Sequence, residues 1–359
     1  MFRLATVALA AGCSIKGIDL AGKACPCPSG WRCDPVQQVC TQQPATDDAN
    51  PDDVHVQPAP GWTFRVLADL TGVVPYNAND FTDGTSEVLD NAPGPIAALY
   101  PPFSASFAIG AGRSIIELAS DGSTTVHDYR PAAPDTTGPD NIAHLAFGAP
   151  ADTGAELWIG SSSQGGGDGL FYVSPGWALV RDDTRNNLNG LGYDATGAYD
   201  GANAPAIYFI DQDGVDRRID AADAALVLAN PDQLGELAIT AGALYAVQDP
   251  SATGTGQDLV RIAATTHAMQ AIATATSYAL AEGGDETAAG GVAVIDGAQL
   301  ARFGDDGTLQ PIAQSLDPRW VWQTASAPRP PHALAGSFAV VESNRALDRD
   351  RVLLFTPGG

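Results

Sequence analysis

The chain has 359 residues and a net charge of -24, from 42 acidic against 18 Lys and Arg residues. That balance argues against nucleic acid or anionic membrane surfaces as partners, since both need clustered cations. Apolar residues make up 45% of the chain, and no apolar run approaches the ~18 residues of a spanning helix, so a large core is possible and a multi-pass membrane protein is excluded.

Met1-Phe2-Arg3 supplies a positive charge, Leu4 to Ala11 is apolar, and Leu9-Ala10-Ala11-Gly12-Cys13 closes the stretch. This opening resembles a bacterial lipoprotein signal over residues 1–12 ending in a lipobox, although Ala10 stands where that motif prefers Leu. The resemblance implies an exported protein, lipidated on Cys13 and anchored in the membrane at the outer membrane or cell surface.

Five cysteines leave one over when four pair in an oxidising compartment, and Cys13 is the natural odd one. The others, Cys25, Cys27, Cys33 and Cys40, crowd residues 13–40. So short a segment buries no core of its own, and disulfides among these four would hold it together in a pairing the sequence leaves open. Zinc is the rival reading, but the C-x-C-x5-C-x6-C spacing lacks the paired C-x2-C knuckles of structural zinc sites. The segment resembles small Cys-rich modules that follow the lipidated cysteine in surface lipoproteins of some predatory, high-GC soil bacteria. Residues 41–60 are polar, acidic and proline-rich, which predicts an extended linker with His55 as a solvated residue within it.

From residue 61 onward a repeat is legible. Asp140-Asn141-Ile142-Ala143-His144-Leu145 recurs as Asn186-Asn187-Leu188-Asn189-Gly190-Leu191 and as Asp232-Gln233-Leu234-Gly235-Glu236-Leu237, each 46 positions after the last. Looser copies begin near Ile96, Ser277 and Asp317, making six. Each opens a set of short apolar runs separated by glycine, proline or Asp-Gly turns such as Asp121-Gly122, the pattern of antiparallel strands joined by hairpins. A fourth strand is missing from the last set, and Trp62 to Leu67 echoes Trp177 to Arg181, so the amino-terminal strand supplies it. Repeats of about 40 to 50 residues with four strands each predict a six-bladed β-propeller over 61–359, with Thr71 to Ala92 as an inserted loop. The arrangement resembles the six-bladed propellers of the NHL and TolB-like group.

No nucleophile elbow, phosphate loop, His-Glu-x-x-His pair or dinucleotide fingerprint is present. His127, His144, His267 and His332 fall in different repeats without shared spacing, which predicts structural roles. In a propeller the first strand of each blade lines the axis, so the polar residues that open the repeats converge on a channel mouth. Those are Asp140, Asn141, Asn187, Asn189, Asp232, Glu236 and Asp317. The expectation is a non-enzymatic platform for a small molecule or an envelope protein. The alternative is a calcium-dependent lactonase or hydrolase, in which oxygen ligands from several blades hold the ion, as in the lactonase and gluconolactonase propellers this arrangement resembles.

Overall fold

The computed structural model describes residues 31–33, 40–42, 55–73, 93–104, 106–129, 138–139, 141–150, 154–161, 169–183, 188–195, 199, 204–211, 214–218, 224–229, 234–240, 243–248, 257–264, 266–275, 278–280, 291–304, 308–344, 347 and 349–358. Among the described residues every regular element is a strand, and no helix is long and apolar enough to cross a membrane.

The chain divides into two units, Met1–Val54 and His55–Gly359. In the first, β1 (Trp31–Cys33) and β2 (Cys40–Gln42) form an antiparallel hairpin that sets Cys33 opposite Cys40. Cys13, Cys25 and Cys27 lie outside the described residues.

The second unit is a six-bladed β-propeller. Its first strands in the chain, β3 (Val56–Pro58) and β4 (Trp62–Asp69), are used last. Blade 1 is β5 (Ile96–Ala98), β6 (Phe107–Ala111), β7 (Ser114–Leu118) and β8 (Thr124–Asp128). Blade 2 is β9 (Ile142–Gly148), β10 (Glu156–Ser161), β11 (Gly169–Val173) and β12 (Leu179–Asp183). Blade 3 is β13 (Gly190–Asp194), β14 (Ala206–Ile210), β15 (Gly214–Arg218) and β16 (Ala224–Ala229). Blade 4 is β17 (Leu234–Thr240), β18 (Ala243–Gln248), β19 (Gln257–Ala263) and β20 (Met269–Ala275). Blade 5 is β21 (Tyr278–Leu280), β22 (Gly291–Asp296), β23 (Gln299–Gly304) and β24 (Leu309–Ser315), with β3 added at its outer edge. Blade 6 is β25 (Val321–Ser326), β26 (Phe338–Asn344) and β27 (Arg349–Pro357), completed by β4.

The middle strands read as continuous apolar runs because both faces of each blade are covered. In β10, Leu157 and Ile159 turn toward blade 1 while Trp158 between them turns toward blade 3, and all three are fully buried. The same division by alternation produces six apolar clusters among the described residues, one at each junction between neighbouring blades. The core is therefore a ring of interfaces, and each fully buried Leu, Ile or Phe in it contributes roughly 1.5–3 kcal/mol. The last junction joins Leu67, Val341 and Val352 to Ile96 and Phe107 and closes the circle.

Closure by β4 agrees with the sequence: its register on β27 runs from Trp62↔Pro357 to Asp69↔Arg351. The Asp121–Gly122 turn is also present, with Asp121 Oδ1 accepting from the Ser123 N–H at 2.9 Å and Gly122 at φ 88°. The inserted loop lies from residue 74 to 92 outside the described residues.

One expectation is corrected. The linker predicted over 41–60 overlaps β3, and His55 is 7% exposed rather than solvated. Its ring stacks on Trp320, centroids 4.8 Å apart, and its Nε2 lies 3.2 Å from Glu342 Oε2. Glu342 is fully buried; its carboxylate also accepts from Trp322 Nε1 at 3.0 Å and from Arg351 Nε. The Arg351 guanidinium lies 4.3 Å over the Trp320 ring. A buried carboxylate is stable only when its lone pairs are filled and its charge is paired, and three side-chain donors do both here.

Candidate functional site

The inner strands β5, β9, β13, β17, β21 and β25 ring the axis, and all six contribute to one cavity of about 200 Å³ near the end where they begin. Its apolar wall comes from Pro95 and Ile96, Leu145, Leu191, Leu237 and Leu280. Its polar side chains are His144 from blade 2, Glu236 from blade 4, and Gln323 and Thr324 from blade 6.

Glu236 owes its place to a local irregularity. It is the unpaired extra residue of a bulge between Gly235 and Leu237 of β17, with φ at 52°. The left-handed region costs a residue with a Cβ about 1–2 kcal/mol. Its backbone N–H donates to the Asn189 carbonyl of the neighbouring blade at 2.6 Å. Gly190 permits that approach, since a Cβ there would stand 3.0 Å from the Glu236 carbonyl carbon. Gln323 occupies a second bulge, between Trp322 and Thr324 in β25.

His144 and Glu236 stand 92 positions apart, two repeats of 46, and so do the main-chain groups they bond. The His144 imidazole is hydrogen-bonded to the backbone of Leu188, and the Glu236 carboxylate to that of Leu280, in each case on the next blade. Both side chains face the cavity and keep some exposed area, yet both sit deep along the axis among leucines. Burial pushes the Glu236 carboxyl up to about 7, against the opposing pull of the Leu280 bond. Burial likewise pulls His144 down to about 4, against the effect of the Leu188 bond. At neutral pH the imidazole is uncharged and the carboxyl lies near its midpoint.

Toward the other end of the axis the space narrows to about 40 Å³ among Tyr100, Phe147, Tyr193 and Arg329. The Arg329 guanidinium lies 5.9 Å from the Tyr100 ring and 5.7 Å from the Tyr193 ring. Its backbone N–H donates to Tyr100 Oη at 2.8 Å, and Tyr100 packs on Phe147 at 4.9 Å.

Of the seven residues predicted to converge on a channel mouth, Asp140, Asn187 and Asp232 lie outside the described residues. Glu236 is in the cavity wall. Asn189 is exposed and takes part through its main chain, and Asn141 donates its backbone N–H to Ser161 Oγ at 3.4 Å. Asp317 is held at a turn by Arg319, whose Nη2 lies 2.6 Å from Oδ2, and that bonding draws its carboxyl down to about 2. Among the described residues no group of three or more His, Cys, Asp or Glu side chains is placed to hold a metal ion.

The cavity also contains Gln323 and Thr324, which the sequence reading leaves out, and His144, to which it gives only a structural role. For His144 the repeat carried a signal: it holds the same position in its copy as Glu236.

A scan against protein-family models found no match, and a search of curated proteins found none. Several solved structures are similar. Virginiamycin B lyase from Staphylococcus aureus shares 10% identity over 82% of this chain and 99% of its own, with a TM-score of 0.45. The PQQ-bound aldose sugar dehydrogenase from Streptomyces coelicolor shares 13% over 83% and 99%, with a TM-score of 0.49. The calcium-binding protein regucalcin from Agrobacterium tumefaciens shares 16% over 77% and 93%, with a TM-score of 0.44. The likeness is one of fold.

Proposed function

We propose that this chain is an exported cell-envelope lipoprotein whose propeller is a non-enzymatic binding platform, with a small molecule seated in the axial cavity beside Glu236. The observation that carries the reading is the cavity itself. Six inner strands enclose it, the axial space narrows toward the other end, and its polar side chains come from blades 2, 4 and 6. A concave, enclosed space on which a few polar side chains converge is where small-molecule sites are found. Glu236 is held there in a backbone conformation that costs stability, a pattern associated with functional positions.

Export and anchoring follow from the amino-terminal pattern, with Cys13 lipidated and Cys25, Cys27, Cys33 and Cys40 oxidised. The facing register of Cys33 and Cys40 is compatible with a bond between those two, because opposed residues of an antiparallel pair lie within the ~4.4–6.8 Å Cα separation that a disulfide spans. The membrane is then a partner through the anchor alone, and the propeller is free to meet its ligand.

Thermal-shift screening of the full chain against a library of polar metabolites tests the binding reading. Ligands should raise the melting temperature of the wild type, and His144→Phe, which fills the cavity, should abolish the shift. A library without hits, or hits indifferent to that substitution, overturns it. A rise on adding calcium that chelator reverses would instead favour the calcium-dependent hydrolase, in which Glu236 would be one oxygen ligand. Fatty-acid labelling that persists in Cys13→Ser would sink the anchor.

A further inference from the structure

We propose that the axial cavity takes a small organic cation, one bearing a primary ammonium group that pairs with the Glu236 carboxylate and donates to His144, Gln323 and Thr324. This rests on the reading of the cavity as a ligand site and names the chemical class of its occupant.

The wall offers acceptors in excess. Glu236 presents a carboxylate with about four lone-pair directions, of which the Leu280 main chain takes one. His144 engages the Leu188 main chain through one ring nitrogen, and in the neutral ring the other nitrogen accepts. Gln323 and Thr324 each add an acceptor oxygen, alongside an amide NH2 and a hydroxyl that can donate. Among the described lining residues the titratable groups are His144 on β9 and Glu236 on β17; β5, β13, β21 and β25 contribute none. Among the described lining residues there is also no Lys or Arg, and Arg329 lines the separate, narrower space at the other end. A molecule rich in donors and carrying positive charge matches this inventory, while an anion would meet a carboxylate with no cation among the described lining residues to offset it.

Size and long-range charge point the same way. About 200 Å³ exceeds what one ion fills and equals several waters at ~30 Å³ each. The described residues supply no cluster for a bare metal ion. The net charge of -24 draws cations toward the molecule from any direction. Because burial lifts the carboxyl toward neutrality, an arriving ammonium displaces a proton from Glu236, so binding and proton release are linked.

The test is calorimetry on the full chain with methylammonium, ethanolamine and 1,4-diaminobutane, each beside its neutral counterpart methanol, ethylene glycol or 1,4-butanediol. Amines should bind and alcohols should not. Amine affinity should rise about tenfold per pH unit below the Glu236 midpoint and level off above it. Glu236→Gln, matched in shape and checked for folding by its melting curve, should weaken amine binding at least ~30-fold. Neutral diols binding as tightly as amines, or amines binding Glu236→Gln undiminished, would overturn the cation and leave the cavity standing as a site for neutral ligands. Silence from every amine overturns the proposal too, and a library hit blocked by His144→Phe then shows that only the ligand class was wrong.

Discussion

Two glutamates in this molecule have opposite surroundings. Glu342 is fully enclosed and receives hydrogen bonds from His55, Trp322 and Arg351. Glu236 faces an open cavity, is bonded to one main-chain group and is lifted to about 7. The comparison separates a carboxylate whose demands the fold itself meets from one whose demands are left for something else to meet. The first fastens the ring, and the second is where a ligand gains most.

Breaking the fastened site should have the larger effect. Glu342→Ala leaves Arg351 buried without its carboxylate and should destabilise by about 3–5 kcal/mol, read by chemical denaturation. Removing residues 61–70 deletes β4 and should prevent folding, seen as loss of the cooperative melt. Cutting the chain just before His55 should leave the propeller intact. Cutting just before Trp62 removes β3 and one donor to Glu342, and should cost roughly 1–3 kcal/mol. Equal stability of these two truncations would show that His55 and β3 add nothing to the ring.

The open site should show itself through pH. Glu236 rises from 4.5 to about 7 on folding, so its contribution is present at low pH and is lost as pH climbs through that window. His144 falls from 6.5 to about 4, so its contribution has the opposite slope, growing as pH rises from about 4 to about 6.5. In the wild type the two offset each other. Glu236→Gln should therefore expose a stability that increases with pH across the His144 window, and His144→Gln one that decreases across the Glu236 window. Each slope is at most ~1.4 kcal/mol per pH unit. Identical pH profiles for the two variants would mean that neither group is buried as described. The smallest effect belongs to Asp317→Asn: the pair with Arg319 is exposed, and the melting temperature should not move.

The blades were legible because their physics is local. Each middle strand is apolar on both faces, each hairpin carries its turn residues, and the 46-residue spacing of Ile142, Leu188 and Leu234 repeats the unit in plain view. The same spacing contained His144 and Glu236 at equivalent places, but it could not reveal what lifts Glu236 off its ladder. That is a contact with Asn189 of another blade, made possible by the missing side chain at Gly190. His55 was illegible for a related reason. Its neighbours Asp52, Asp53 and Pro58 read as solvated linker, whereas the partner that buries it, Glu342, is 287 positions away.

The placement of β3 also determines how the molecule carries load. A pull from the amino-terminal side reaches the propeller at His55 and falls first on the short pairing of β3 with β24, including the bonds from the Leu316 N–H to the His55 carbonyl and from the Ala59 N–H to the Ile312 carbonyl. Only after that clip gives way does tension reach the eight residues of β4 that close the circle. Under such a pull the outer strand of blade 5 is expected to part before β4, an order that single-molecule pulling would show as a small first release.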